Sequence, residues 1–100
     1  PAVSAKSINK PVPENVEVSN VTSGEATVSW NKISKAHHYQ VGLYTKKKKL
    51  ITKIKVMKKE EELRGLDAST TYRVRVHAVA KNGAKSEWTK YVTFTTEAES

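Results

Sequence analysis

Leu66-Asp67-Ala68-Ser69-Thr70-Thr71-Tyr72, running into Arg73-Val74-Arg75-Val76-His77-Ala78-Val79-Ala80, is the stretch whose reading decides the fold. A leucine, a short polar turn and a tyrosine lead into a strand whose alternate residues are apolar or small. That is the form of a tyrosine corner, where a buried tyrosine hydroxyl bonds back to nearby backbone at one corner of a two-sheet β-sandwich. A strand alternates its side chains between two faces, so Tyr72, Val74 and Val76 are assigned inward and Arg73, Arg75 and His77 outward.

The same period of two extends in both directions from this stretch. Val16 and Val18 alternate with polar residues, as do Ala26, Val28 and Trp30 after the turn Ser23-Gly24-Glu25. Tyr39, Val41 and Leu43 do likewise, then Ile54 and Val56 with Lys53 and Lys55 interleaved, and Val92 with Phe94 at the end. Asn82-Gly83 marks a turn before the last strand, because both residues tolerate positive φ. Met57 to Arg64 is rich in Lys and Glu but lacks an apolar stripe, so it reads as a short strand and turn rather than a helix. Six or seven short strands with turns between them argue for a sandwich or small barrel. Residues 1–10 read as a linker, 11–96 as the domain and 97–100 as a second linker or tail. Pro1-Ala2-Val3-Ser4 has the form of neither a signal peptide nor an initiator, so the chain reads as a piece of something longer.

One hundred residues suffice for one domain that buries roughly two-thirds of its unfolded surface. There is no cysteine, which excludes disulfides and Cys-based zinc sites. No apolar run approaches the ~18 residues a membrane-spanning helix needs, so membrane insertion is not expected. The net charge of +8 is local: residues 46–59 hold eight lysines and no acid, while the other ten basic residues balance the ten acidic ones. One surface, not the whole domain, is basic.

In order and spacing these pieces resemble a fibronectin type III domain. Pro13 through Val21-Thr22 looks like its first strand, and Ala26-Thr27-Val28-Ser29-Trp30 its second with the buried tryptophan. Tyr39-Gln40-Val41-Gly42-Leu43-Tyr44 resembles the third strand, Leu63-Arg64-Gly65-Leu66 through Tyr72 the fifth strand and corner, and Thr93-Phe94-Thr95-Thr96 the ending. The resemblance implies an all-β, immunoglobulin-like two-sheet sandwich of seven strands, with Trp30, Tyr39, Val41, Leu66, Tyr72, Val74 and Val76 in its core. It also implies a non-catalytic module of a larger extracellular or cell-surface protein. The loop 81–87, where the family's integrin-binding tripeptide would sit, lacks that tripeptide. Ala68 stands where the family often has proline, at some cost in turn rigidity.

The residues give little purchase for catalysis or cofactors. Glu60-Glu61-Glu62 beside Lys58-Lys59 reads as a solvated edge, and no nucleophile, base and orienter assemble from the rest. His37-His38 is read as a solvated loop ahead of the third strand, with adjacent side chains pointing apart rather than sharing a metal. No cofactor or metal is expected. Asn20-Val21-Thr22 is a glycosylation sequon with chemical meaning only in a eukaryotic secreted protein. Trp88 is read as a cover on the sandwich's edge, stacked against the stem of Arg73 or Arg75, in preference to an exposed stacking platform for a sugar.

The basic surface is the candidate site. With Tyr39, Val41 and Leu43 inward, Gln40, Gly42 and Tyr44 point out. Tyr44, Lys53, Lys55, Arg73, Arg75, His77 and Tyr91 are then expected on one exposed sheet face, with the Lys46-Lys47-Lys48-Lys49 hairpin tip beside it. Two arginines at i, i+2 can fork onto sulfate, carboxylate or phosphate, and exposed tyrosines can stack on sugars. The competing reading is that these charges keep an exposed sheet soluble and its edge unpaired. Three roles follow: a spacer between neighbouring domains of a secreted bacterial protein, such as a carbohydrate-active enzyme or adhesin; a binder of anionic polysaccharide or acidic protein; or a fragment of a eukaryotic receptor or adhesion ectodomain. Nucleic acid ranks last, since no nucleic-acid-binding motif is present. The isolated domain is expected to be a monomer.

Overall fold

The structure, a computed structural model, describes residues 12–99; the linker expected over residues 1–10 lies outside them. Seven strands follow in order: β1 (Glu17–Ser19), β2 (Ala26–Ser29), β3 (Ala36–Thr45), β4 (Leu50–Val56), β5 (Glu60–Leu63), β6 (Thr71–Ala80) and β7 (Val92–Thr95). They form two antiparallel sheets, β1-β2-β5 and β4-β3-β6-β7. The all-β sandwich expected from the alternation is what the chain adopts. Met57–Arg64 contains the short strand β5, which pairs with β2.

The core lies between the sheets. Val28, Val41, Val74 and Val76 are completely buried. Tyr39 meets Trp30 edge-on with ring centroids 5.3 Å apart, and its hydroxyl accepts from the Ile33 amide at 2.7 Å. Tyr72 stacks on Phe94 at 5.7 Å. Leu66, expected in the core, is half-buried and packs on its margin. The corner has the predicted chemistry: the Asp67 N–H donates to the Tyr72 hydroxyl at 2.8 Å. Thr96 completes it, with a buried hydroxyl that donates to the Asp67 carbonyl and accepts from the Thr70 amide at 2.9 Å. The Asn82-Gly83 turn closes through the Gly83 N–H to the Ala80 carbonyl at 2.9 Å, with Gly83 at φ 89°.

One expectation fails here. His37 and His38, expected in a loop, lie inside β3, where a bulge between Ala36 and His38 breaks the pairing with β6. An extra residue in one strand spoils the alternation. The two rings therefore do not point apart, and their Nδ1 atoms stand 3.0 Å from each other.

Candidate functional site

The candidate surface is the outer side of β4-β3-β6-β7 and the β3–β4 hairpin. The hairpin tip is tightly closed: Lys48 N–H donates to the Thr45 carbonyl and Thr45 N–H to the Lys49 carbonyl, both at 2.9 Å. Lys48 takes φ 70°, the left-handed conformation. Lys46, Lys47, Lys48 and Lys49 are all exposed, as are Lys53 and Lys55 on β4 and Lys58 and Lys59 beyond it. The single ion pair among the described residues is Arg64–Glu62, so none of these eight lysines is neutralised by a carboxylate.

Register places the rest. Lys53 lies opposite Gly42 and Gly42 opposite Arg75, while Lys55 lies opposite Gln40 and Gln40 opposite His77. All these residues share the outer face, as the alternation predicts. Of the residues expected to be exposed on this face, only Lys53 and Lys55 are: Tyr44 retains 5% of its accessibility and His77 4%, and Arg73, Arg75 and Tyr91 are half-buried. The cause is the segment before β7. Ser86 and Thr89 run it alongside β6, with Ser86 Oγ accepting from the Ala78 amide at 2.9 Å and Thr89 Oγ1 from the Val76 amide at 3.0 Å. That alignment lays Trp88 flat on His77, ring centroids 3.9 Å apart and 9° from parallel, and sets Tyr91 edge-on to Tyr44 at 5.2 Å.

Arg75 binds the layer together. Its guanidinium lies 4.6 Å from the Trp88 ring, 4.8 Å from Tyr91 and 4.9 Å from Tyr44, and its Nε donates to the Tyr44 hydroxyl at 2.9 Å. Lys48 Nζ extends the column over Tyr91 at 5.2 Å. Arg73 is likewise engaged, donating to the Lys46 carbonyl at 2.8 Å and to Thr93 Oγ1 at 3.2 Å. Arg75 thus commits its Nε and its face, and Arg73 its Nε and one terminal nitrogen, to contacts within the domain, and both are half-buried, whereas the hairpin and β4 lysines are exposed.

Gly42 is what lets Tyr44 lie down. A Cβ there would sit 2.7 Å from Tyr44 Cε1 and 2.9 Å from its hydroxyl. A glycine in the middle of an apolar-alternating strand is a sequence sign of such close approach. His77, with its Nε2 2.6 Å from Gln40 Oε1, has its pKa lowered chiefly by burial. The Ser86 backbone hydrogen bond opposes the shift, while Lys85, Lys53 and Arg75 add to it. Sequence reading gave Trp88 as a cover on Arg73 or Arg75 but missed its stacking on His77, and it missed the space that Gly42 leaves for Tyr44.

Two antiparallel sheets of three and four strands, locked by a tyrosine corner, define an immunoglobulin-like β-sandwich module. The sequence matches the fibronectin type III domain family over residues 11–95, and the chain belongs to that family. It is similar to a solved structure described as a myokine, with TM-score 0.77 and 25% identity over 88% of this chain and 98% of that one. Similar too is the fn3 domain of the human collagen alpha-1(XX) chain, with TM-score 0.78 and 25% identity over 91% and 89%. The FN1–FN3 domains of chicken CNTN1 give TM-score 0.78 and 22% identity over 88% of this chain and 31% of that one, a likeness of fold. A comparison with curated protein sequences found no match. Domains of this family occur as modules of multidomain proteins.

Proposed function

We propose that this domain is a non-catalytic module of a larger secreted or cell-surface protein, spacing its neighbours and holding an anionic partner on the lysine-rich β3–β4 hairpin. The observation that carries the reading is the run of eight exposed lysines over residues 46–59, none paired to a carboxylate among the described residues. Charges placed together without partners raise the local concentration of a polyanion and speed its association. The half-buried arginines, engaged with Tyr44, Trp88, Tyr91 and Thr93, favour the hairpin and β4 over the middle of the sheet face as the contact. The lysine-heavy composition supports a bacterial parent, a carbohydrate-active enzyme or adhesin among the candidates.

The test is an amide-resolved NMR titration with a sulfated polysaccharide and with a neutral one, each at low and physiological salt. Shifts confined to residues 46–59, surviving at physiological salt and absent with the neutral polymer, are expected. Affinity should fall steeply with salt, because lysine contacts to a polyanion release counterions. Diffuse shifts that vanish at physiological salt would leave the spacer role alone standing.

A second reading, a eukaryotic receptor or adhesion ectodomain, draws on Asn20, which is exposed at φ 50° within its sequon. Mass spectrometry of the natively produced protein decides it: a glycan on Asn20 favours this reading, a bare asparagine counts against it.

A further inference from the structure

We propose that the free edge of β4 accepts an acidic, extended segment of a partner protein as an added strand. The proposal rests on the reading that the hairpin lysines hold an anionic partner, and it specifies what that partner is. In the strand order β4-β3-β6-β7, β4 pairs among the described residues with β3 alone and leaves its other side an open edge. Among the described residues, the exposed large hydrophobic ones are Leu50 (47%), Ile51 (47%) and Met57 (61%), which lie on this strand or just beyond it. An edge whose lysines served only to repel other strands would not keep two adjacent apolar residues half open.

The surroundings of the edge set the pattern of the guest. Toward the inner side, Thr52 and Ile51, the latter taken out of register by a bulge where Leu43 pairs with Thr52 and Tyr44 with Leu50, form one wall of a groove of about 380 Å³ whose other wall is the β5–β6 corner, including Leu66 and Tyr72. Toward the outer side stand Lys53 and Lys55, with the Lys46–Lys49 tip at the end of the strand. A strand added to this edge sends alternate side chains to the two sides. Apolar residues at every second position would reach the groove beside Ile51 and Leu66, and carboxylates at the positions between would meet Lys53 and Lys55. Backbone pairing supplies affinity in such an addition, and the alternate side chains supply specificity.

Charge also decides against a second copy of this chain on the same edge. Antiparallel pairing of β4 with itself sets a strand bearing Lys53 and Lys55 against its own like, and like charges opposed across strands are destabilising.

Two probes separate this proposal from the one beneath it. The first is an end-blocked peptide of alternating glutamate and valine, about nine residues long so that it outruns the seven-residue β4 at ~3.3 Å per residue. The second is inorganic polyphosphate. Amide NMR and hydrogen exchange on the whole chain, at physiological salt, should show the peptide slowing exchange within residues 50–56. Polyphosphate should shift residues 46–59 without slowing exchange on β4. Ile51→Lys, at an exposed position, should weaken the peptide by about tenfold or more while sparing polyphosphate, because it places a charge in the groove. Lys53→Glu with Lys55→Glu should weaken both. Polyphosphate binding without protection of β4 by the peptide overturns the added strand and leaves the lysine surface intact. Silence from both probes overturns the two together. Protection of β4 that grows with protein concentration and needs no peptide means that a second copy covers the edge, and also overturns the proposal.

Discussion

Tyr72→Phe isolates the corner from the core around it. The ring, buried and stacked on Phe94 at 5.7 Å, stays in place, and only the hydroxyl that accepts from the Asp67 N–H at 2.8 Å is lost. A partly buried amide left without its acceptor costs ~1–3 kcal/mol. Asp67 itself is exposed, so water recovers part of the loss and ~2 kcal/mol is the working figure. At about 4–8 °C per kcal/mol for a domain of this size, Tm should fall by about 8–16 °C. Urea unfolding of wild type and variant gives the difference in midpoint, with an unchanged slope showing that neither end state has altered. Thr96→Val removes the hydroxyl that holds the Asp67 carbonyl and the Thr70 amide. Because both hydroxyls hold one peptide segment, the double variant should show a coupling of about 0.5 kcal/mol or more. A loss below ~0.5 kcal/mol for Tyr72→Phe, the range of an ordinary surface change, would refute the corner as a stabilising device.

Three further outcomes are expected. Gly42→Ala puts a methyl group 2.7 Å from the Tyr44 ring, so it should cost about 1–3 kcal/mol and move the Tyr44 and Tyr91 ring resonances; unchanged resonances would show that the ring does not rest on Gly42. Arg75→Ala removes the cation shared by three rings and should cost about 1–2 kcal/mol while altering Trp88 fluorescence; it should leave polyanion binding by the lysines intact, and a matching loss of binding would restore Arg75 as a ligand contact. His77 is held neutral in the folded state, since burial foremost lowers its pKa below the ordinary 6.5. The unfolded chain therefore takes up the proton first, and this contribution to stability is present above pH 6.5 and is lost as pH falls through the lowered folded value. His38, lowered by desolvation and by Lys55 and His37, acts in the same direction. Unfolding midpoints followed downward from neutral pH should decline less in His77→Gln than in wild type; parallel curves would mean that His77 does not carry the effect.

The alternation of Tyr72, Val74 and Val76 assigned β6 its inner face correctly, and the pattern Leu66 to Tyr72 placed the corner to the residue, because both depend on contacts close in sequence. The outer face was legible as far as direction goes: Gln40, Tyr44, Arg73, Arg75 and His77 do share it. Exposure was not legible, since the residues that cover Tyr44 and His77 come from residues 81–91, which carry no strand period. Ser86 and Thr89 fix that segment through side-chain hydroxyls, and a hydroxyl in a loop gives no hint of which distant amide it will meet. The bulge at His37-His38 was hidden for a similar reason, because an extra residue in β3 has meaning only against its partner β6.

By itself the sequence determined that this chain is an all-β sandwich, most of its core (Leu66 excepted), and that its charge sits on one hairpin and the strand after it. Strand content and charge follow from side-chain alternation, local turn chemistry and composition, and the resemblance to a known family turned the strands into a sandwich with an assigned core; none of this needs knowledge of what lies across the fold. Tertiary structure alone decided that Arg73 and Arg75 are engaged within the domain, that Trp88 lies on His77 as well as Arg75 with Tyr91 beside it over Tyr44, and that β4 is a free edge beside an apolar groove. Each of these depends on which strands and loops come together from far apart in the chain, a choice made by the packing of the whole core.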